Sequence, residues 1–271
     1  MNVISLGFRT DLMLRTIAGS TLTDHGSHLV VRTPANPGFW WGNFVLFKGP
    51  PQDGDAQSWA RTFSEEFPRA AHLALGVDSI DGDTGDPGEL AALGLEAEVN
   101  SVLTAGRLLS PGEPRVAADI RPLTGDDDWA QATRLHIACN DDFAMTPEHR
   151  QFLERRDAER RKLCEAGHGA WFGAFVDGRM CAGAGLFSDG SGPARFQDVE
   201  THPSHRRQGL ASSLVHQAGQ WGLQRLGART LVIVADPGYH AIRLYRSLGF
   251  VDAERQVQLS RPPSSGDDHD A

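Results

Sequence analysis

Lysine is almost missing from this chain of 271 residues, in which Lys48 and Lys162 are the two lysines. Arginine therefore supplies nearly all of the positive charge, an imbalance that we attribute first to the base composition of the genome. The formal net charge is -9 at pH 7. Because nucleic-acid-binding proteins gain much of their affinity from a basic surface, this balance argues against a nucleic-acid partner. The same charge balance does not argue against a cationic or amine substrate.

Cysteine is scarce as well, and Cys139, Cys164 and Cys181 form no CxxC pair. An odd number at such spacings is not typical of a disulfide framework or a thiolate zinc site, and it favours a reducing cytosol. The histidines are scattered without an HExxH motif, so we predict no metal. Cys181 lies in a strand pattern, where free cysteine is commonly buried, and the sequence gives no support for a nucleophilic cysteine.

Long apolar runs are absent too. No stretch approaches the roughly 18 apolar residues that a membrane helix needs. The N-terminal region shows no basic start followed by an apolar run, so we see no signal peptide. We therefore expect a cytoplasmic protein without a membrane partner.

What the sequence does contain is a pattern of alternating strands and helices, which predicts an α/β fold with a mixed sheet. The segment 110–115 contains two prolines and a glycine, and a fresh strand and helix begin after it. We therefore predict one domain over 1–115, a second over 116–260, and a disordered tail over 261–271.

In the second half, Asp177-Gly178 predicts a hairpin between two apolar strands. A third strand follows over 194–202 and ends close to a glycine-containing turn. The other predicted elements are a helix over 147–166, a helix over 209–226, a strand over 230–235 and a helix over 239–248 that is closed by Gly249.

Two segments of the first half are weakly similar in sequence to segments of the second half. The segment 72–78 resembles 230–236, and 93–98 resembles 248–254. Coincidence between common α/β fragments is one explanation of this similarity. We favour a divergent repeat, and hence two related halves.

The segment 199–211 carries the most informative motif. Its strand ends at Pro203, and the turn Arg206-Arg207-Gln208-Gly209 opens directly into an amphipathic helix. The first backbone N–H groups of a helix have no internal partner, and the helix dipole adds partial positive charge. Gly209 lets the main chain approach a ligand, and the small Ala211 keeps the first turn open. The turn therefore suits a pyrophosphate, although an ordinary solvated helix cap would also fit.

Downstream of this turn, the segment 241–250 reads Ala-Ile-Arg-Leu-Tyr-Arg-Ser-Leu-Gly-Phe. Together, the turn and this helix resemble the GNAT superfamily of N-acetyltransferases, over about residues 116–260. The resemblance implies a GNAT fold and acetyl-CoA as co-substrate, with direct attack by a primary amine in a ternary complex. The first half would then be a degenerate GNAT-like domain. It has Gly49–Gly54 in place of the glycine turn, so we predict no second acetyl-CoA there.

The resemblance also implies the contacts to the cofactor. The pyrophosphate would lie on backbone amides at the helix start, and pantetheine would follow the strand before it. Many family members carry an asparagine where this chain has Gly238, and Asp236 or His240 is the expected substitute. The implied cofactor-binding residues are Val199, Glu200, Thr201, Arg206, Arg207, Gln208, Gly209, Leu210, Ala211, Asp236 and His240.

Tyr245 is the expected catalytic acid. In the family, the tyrosine at this position donates a proton to the departing CoA thiolate, which gains charge in the transition state. The alternative is a structural tyrosine that packs beside the cofactor sulfur.

The catalytic base is harder to assign. Asp198, Glu200 and His202 alternate on one face of the predicted strand, and we choose Glu200. The alternatives are a surface carboxylate paired with a nearby arginine, and a relay through water. The chain departs from the family at two positions where a base is often found, which are Arg195 and Ile233 here.

The sequence leaves the acceptor open between a small-molecule amine and a peptide or protein amine, because the loop 140–147 gives no recognisable pattern. A tandem arrangement also resembles mycothiol synthase, which acetylates a small amino-thiol glycoside, although the shorter first half argues against it. A competing class of function is a non-catalytic acyl-CoA sensor or a protein-interaction module. The oligomeric state stays open, with a dimer among the options.

Overall fold

The computed structural model of the protein describes residues 1–140 and 147–263. The chain folds into two compact units. Unit 1 comprises Met1–Val102, Val234–Tyr239 and the stretch from Asp252 onward, and unit 2 comprises Leu103–Ile233 and His240–Val251.

This division differs from the predicted boundary between residues 115 and 116. The segment from Leu103 already belongs to unit 2, and the C-terminal strand from Asp252 belongs to unit 1. A local sequence pattern cannot show which unit that strand belongs to, because its pairing partner β4 lies far away along the chain. Arg261, which we placed in the disordered tail, still belongs to a strand, and the tail from residue 264 lies outside the described residues.

The elements follow the predicted α/β alternation. In the first half they are α1 (Leu6–Ile17), β1 (Thr21–Asp24), β2 (His28–Arg32), β3 (Phe44–Lys48), α2 (Asp55–Glu66), β4 (Leu73–Asp78), α3 (Pro87–Ala92) and β5 (Glu96–Ala105). In the second half they are β6 (Asp119–Pro122), α4 (Gly125–Cys139), α5 (Pro147–Glu165), β7 (Gly169–Val176), β8 (Arg179–Phe187), β9 (Pro193–Thr201), α6 (Leu210–Arg225), β10 (Thr230–Ala235), α7 (Ala241–Ser247) and β11 (Val251–Arg261).

Unit 1 is built on strands in the order β1-β2-β3-β4-β11-β5. β3 and β4 are parallel, whereas β4 and β11 are antiparallel. Phe47 of β3 stacks on Trp59 of α2 with ring centroids 4.7 Å apart. Phe8 of α1 is fully buried in the same hydrophobic core, so both helices are held by apolar contacts.

Unit 2 is built on strands in the order β10-β9-β8-β7-β6, in which β9 and β10 are parallel and the other pairs antiparallel. The predicted hairpin joins β7 to β8. Its turn residues Asp177 and Gly178 both have positive φ, at 49° and 75°, as a type I′ turn requires. The predicted α/β class with a mixed sheet is confirmed.

The amphipathic pattern of α6 is also confirmed, since Leu210, Leu214 and Ala218 are all buried. Burial of one leucine side chain contributes about 2 kcal/mol, so this face fixes the helix firmly in unit 2. None of the helices within the described ranges is long and apolar enough to cross a membrane.

The cysteines of unit 2 are packing residues. Cys181 is buried in β8, as predicted, and burial raises the pKa of its thiol. Burial also raises the pKa of the Cys164 thiol to about 11. Since the thiolate is the nucleophilic form, both environments disfavour acyl transfer through cysteine.

Candidate active site

The turn that precedes α6 has an unusual backbone. A short 3₁₀ turn over Pro203–His205 follows β9, and the chain then passes through Arg207 with φ 65° and Gly209 with φ 86°. The left-handed conformation is readily adopted by glycine but disfavoured for arginine. A side chain on Gly209 would also place its Cβ 3.0 Å from Cα of Pro114. Glycine is therefore required at this position.

The N-terminus of α6 is left open to a ligand. Gly209 is its N-cap residue, and no described side chain caps the first turn by a hydrogen bond. The first N–H groups of such a helix have no partner within it and carry partial positive charge. The buried Oε1 of Gln208 likewise has no hydrogen-bond partner among the described residues. The structure thus brings the predicted residues from Arg206 to Ala211 together in one turn.

The other groups of the turn hold it in place. The Gln208 carbonyl accepts a hydrogen bond from the Arg115 amide at 2.9 Å. Arg206 Nε donates to the Thr201 carbonyl at 3.2 Å, which ties the turn to the end of β9. Arg206 and Arg207 therefore place two positive charges beside the open end of the helix.

β9 and β10 pair only over their first residues. Their register runs from Thr230↔Pro193 to Val232↔Arg195, whereas β9 continues to Thr201. Along this later part β9 remains paired with β8 on its other side. The edge of β9 that includes Val199, Glu200 and Thr201 is thus not paired with β10.

A β-bulge interrupts β9 at Asp198. Gly185 of β8 pairs with Gln197 and Gly183 with Glu200, so β9 has one extra residue between these pairs. Asp198 has φ 41°, a conformation that non-glycine residues seldom adopt. The bulge inserts one residue that the predicted alternation did not include, but Asp198 and Glu200 still face the same cluster of charged side chains, as predicted. His202 does not join them, because its Nδ1 contacts the Ser204 hydroxyl at 2.7 Å.

This cluster, which we call the buried charge cluster, contains His136, Asp157, Arg160, Asp198 and Glu200. His136 Nδ1 contacts Glu200 Oε2, and the Nη2 group of Arg160 donates to Asp198. Arg160 Nη1 lies 2.9 Å from His136 Nε2 and 3.0 Å from Asp157 Oδ1. The helices α4 and α5 are thereby connected to the bulged part of β9.

The contacts of the cluster set its ionisation. Burial lowers the pKa of His136, but its hydrogen bonds to Asp157 and Glu200 outweigh this effect and raise the pKa above the ordinary value. Burial opposes ionisation of Asp198, yet the charges of Arg160 and Arg156 hold its pKa below the usual range. The pKa of Asp157 is also lowered, because the hydrogen bond to His136 overcomes the effect of burial. Both aspartates are consequently ionised at neutral pH.

Arginine rather than a metal ion compensates these negative charges. His136, Asp198 and Glu200 do offer ligand atoms that lie within 4.8 Å of one another. However, Asp198 is already paired with Arg160 and, at 3.4 Å, with Arg156. A divalent cation would be repelled by both guanidinium groups. The absence of a metal stays a prediction, which these ion pairs favour.

Tyr245 lies buried on α7, in unit 2. Its ring packs edge-on against Phe250 with centroids 6.3 Å apart, and Phe250 packs in the same way against Phe196 of β9 at 6.2 Å. This chain of rings fixes the tyrosine relative to β9. His240 is the N-cap residue of α7, whereas Asp236 belongs to unit 1, where its carboxylate accepts the Gly238 amide at 2.7 Å.

Sequence reasoning missed His136, Asp157 and Arg160. The helix α5 is rich in charged residues, and such a composition is typical of a helix that faces water. The spacing of residues along α5 could have indicated the cluster. Leu153, Asp157 and Arg160 fall on one face of the helix, and Leu153 is fully buried. Two charged residues that share a helix face with a buried leucine indicate a buried ion pair rather than a solvated surface.

The comparisons with known proteins agree with this geometry. Residues 129–250 match the family model described as Acetyltransferase (GNAT) family. No curated protein matches the chain. A GCN5-related N-acetyltransferase from Kribbella flavida matches 98% of this chain and 99% of its own, with a TM-score of 0.67 at 19% identity.

Two further solved structures are similar over most of their length. A functionally unknown conserved protein from Staphylococcus epidermidis matches 91% of this chain and 96% of its own, with a TM-score of 0.69 at 14% identity. A tandem GNAT protein from the clavulanic acid biosynthesis pathway matches 94% of this chain and 89% of its own, with a TM-score of 0.54 at 15% identity. At such identities the likeness is one of fold, and it extends over both halves of the chain.

Proposed function

Because the chain carries an acetyltransferase domain of the GNAT family over residues 129–250, we propose that it is an acetyl-CoA-dependent N-acetyltransferase acting on a primary amine. The observation that carries the proposal is the open N-terminus of α6 beside Arg206 and Arg207. A helix start without a side-chain cap, flanked by arginines, suits the diphosphate of coenzyme A.

The unpaired edge of β9 supports the second half of the cofactor site. In this proposal the backbone from Val199 to Thr201 binds the extended pantetheine arm in the way that the edge of a sheet binds an additional strand. The thioester would then lie near the bulge at Asp198, and the attacking amine would approach it there. Positioning of the two reactants supplies most of the acceleration in such a direct transfer.

Glu200 is the proposed general base, since an amine must lose its proton to attack the thioester. It follows the bulge directly, and its contact to His136 leaves the second carboxylate oxygen for other partners. Tyr245 is the proposed acid for the departing thiolate. The phenylalanine rings that hold it against β9 keep its hydroxyl in a fixed place.

The charge of the cluster does not choose between acceptors. Asp157, Asp198 and Glu200 face Arg156 and Arg160, so the cluster is neutral when His136 is protonated, the form that its raised pKa favours. The proposed acceptor is a primary amine, either a small molecule or a peptide.

The experiment that tests the function is a panel of primary amines incubated with acetyl-CoA, with release of free CoA as the measurement. We expect turnover with cationic amines and none with neutral alcohols of similar size. Tight binding of acetyl-CoA without turnover on any amine would contradict the enzyme and leave a binding protein.

A further inference from the structure

We propose that His136 is a positioning residue of the transfer site, which holds Glu200 in one orientation by donating its Nδ1 hydrogen in both protonation states of the imidazole. The inference rests on the proposed function, because it concerns how the base of that reaction is held. It assigns a role to a histidine that no recognisable sequence motif contains.

The position of the imidazole carries the argument. The His136 side chain is 2% exposed, and its two ring nitrogens point to different elements. Nδ1 contacts Glu200 on β9, whereas Nε2 faces Asp157 and Arg160 on α5. Glu200 therefore depends on a ring whose other end is anchored in the helix layer.

The partners of Nε2 fit both forms of the ring. In the neutral form, Nε2 accepts a hydrogen bond from Arg160 Nη1 at 2.9 Å. In the charged form, Nε2 donates to Asp157 Oδ1 at 3.2 Å. In each case the Nδ1 hydrogen remains available for Glu200. The ring can thus gain or lose a proton without breaking its bond to the base.

The surroundings leave the ring little freedom. Trp171 of β7 packs edge-on against it with centroids 5.5 Å apart, and the Arg160 guanidinium lies 4.4 Å from the centre of the Trp171 ring. Asp157 also accepts the Thr133 hydroxyl at 2.7 Å. The charged groups that face His136 are Asp157, Arg160 and Arg156 from α5, and Asp198 and Glu200 from β9. A reorientation of the imidazole would leave several of these groups without partners.

A functional consequence follows from this geometry. If Glu200 is the base, its carboxylate must keep the orientation in which it accepts the proton of the amine, and the His136 donor fixes that orientation. Loss of the donor should therefore lower kcat with little change in the KM for acetyl-CoA, and a side chain that restores a donor should restore part of kcat. A purely structural histidine would not produce this pattern.

The test compares His136→Leu, His136→Gln and Glu200→Gln in the full chain, with His168→Gln as the control at another histidine of unit 2. We expect His136→Leu to lower kcat with the amine by about 100-fold at pH 7. Glutamine keeps a hydrogen donor, so His136→Gln should recover at least about 10-fold of this loss. The KM for acetyl-CoA should stay within a few-fold.

A second measurement uses the unmodified protein, in case His136→Leu does not fold. Histidine ¹⁵N chemical shifts across a pH titration report which ring nitrogen carries the hydrogen. We expect Nδ1 of His136 to stay protonated throughout while Nε2 titrates. A neutral form that is deprotonated at Nδ1 would overturn the inference.

The kinetic outcomes separate this inference from the proposed function. If Glu200→Gln lowers turnover while folded His136 variants keep the parental kcat, the positioning role is wrong and the base assignment survives. If Glu200→Gln turns over as fast as the parent, the base assignment fails and the role of His136 fails with it. If neither the parent protein nor any variant binds or uses acetyl-CoA, the proposed function itself is wrong.

Discussion

The two units place a glycine at the start of a helix with nearly the same backbone. Gly54 precedes α2 with φ 85° and ψ -7°, and Gly209 precedes α6 with φ 86° and ψ -2°. The surroundings of the two glycines are opposite in charge. The Gly54 amide donates to Glu89 Oε1 at 2.5 Å, whereas Gly209 lies beside Arg206 and Arg207. The chain's own carboxylate thus neutralises the helix start in unit 1, and the one in unit 2 stays open to an anion.

The pairing of the parallel strands beside these helices also differs between the two units. In unit 1, β3 and β4 remain paired up to Lys48↔Asp78, which is the last residue of each strand. In unit 2, pairing of β9 with β10 ends at Arg195, well before β9 does. Unit 1 therefore offers no unpaired strand edge between its parallel strands for an extended ligand.

The spacing of the glycines supports a shared origin of the two halves. The same number of residues separates Gly54 from Gly209 and Gly94 from Gly249, and all four have positive φ. At this spacing Leu90 of unit 1 corresponds to Tyr245 of unit 2. If the first half is a degenerate copy, the turn backbone has persisted in it, while the charge, the strand separation and the hydroxyl group differ between the two units.

The comparison between the two halves would be contradicted most strongly if the second half of the chain could exist alone. In the fragment 116–271, β11 would lose β4, and its residues Val257 and Leu259, which are buried in the full chain, would become exposed. We expect this fragment to aggregate, as judged by size-exclusion chromatography, because buried apolar strand edges drive association. A soluble, monomeric and fully active fragment would show that the halves are independent.

The charge difference between the two glycine turns is tested by the matched substitutions Gly209→Glu and Gly54→Glu. Both introduce a side chain at a left-handed residue, but a Cβ at Gly209 also lies 3.0 Å from Pro114, whereas a Cβ at Gly54 meets nothing within 4 Å. Gly209→Ala is therefore measured as well, to separate this crowding from the effect of the charge. Gly209→Glu should weaken acetyl-CoA binding by about 100-fold through repulsion of the diphosphate, and Gly54→Glu should leave the affinity unchanged. Isothermal titration calorimetry measures both. An unchanged affinity in Gly209→Glu would remove the turn from the site.

The hydroxyl group that unit 1 lacks is tested by Tyr245→Phe. If the hydroxyl protonates the leaving thiolate, turnover should fall by about 100-fold while acetyl-CoA affinity stays within a few-fold. The alkaline limb of the pH–rate profile should also change, because the titrating donor is gone. Tyr239→Phe, at the exposed tyrosine, is the control. Parental turnover of Tyr245→Phe, with chemistry rate-limiting, would make Tyr245 a packing residue and water the proton source.

The sequence revealed the parts of the fold that depend on local patterns. The spacing of Leu210, Leu214 and Ala218 predicted α6, and Asp177-Gly178 predicted the hairpin, because both reflect short-range geometry. The spacing of α5 indicates that Asp157 and Arg160 share a buried face, but no local pattern encodes the contacts between α4, α5 and β9 that join them to His136 and Glu200. The bulge at Asp198 likewise arises from pairing with β8, so the predicted alternation placed Asp198 and Glu200 on one face but did not include the extra residue.

The smallest of the predicted effects concerns Glu89, whose carboxylate accepts a hydrogen bond from the Gly54 amide at the start of α2. Glu89→Ala should destabilise the protein by about 0.5–1 kcal/mol, because the Gly54 amide loses a charged acceptor. Glu65→Ala, near the opposite end of α2, is the control and should have little effect on thermal unfolding. Acetyl-CoA binding by Glu89→Ala should keep the parental stoichiometry, since β3 and β4 remain paired. A second equivalent of bound acetyl-CoA would mean that Glu89 alone closes unit 1, and that strand separation is not what distinguishes the two units.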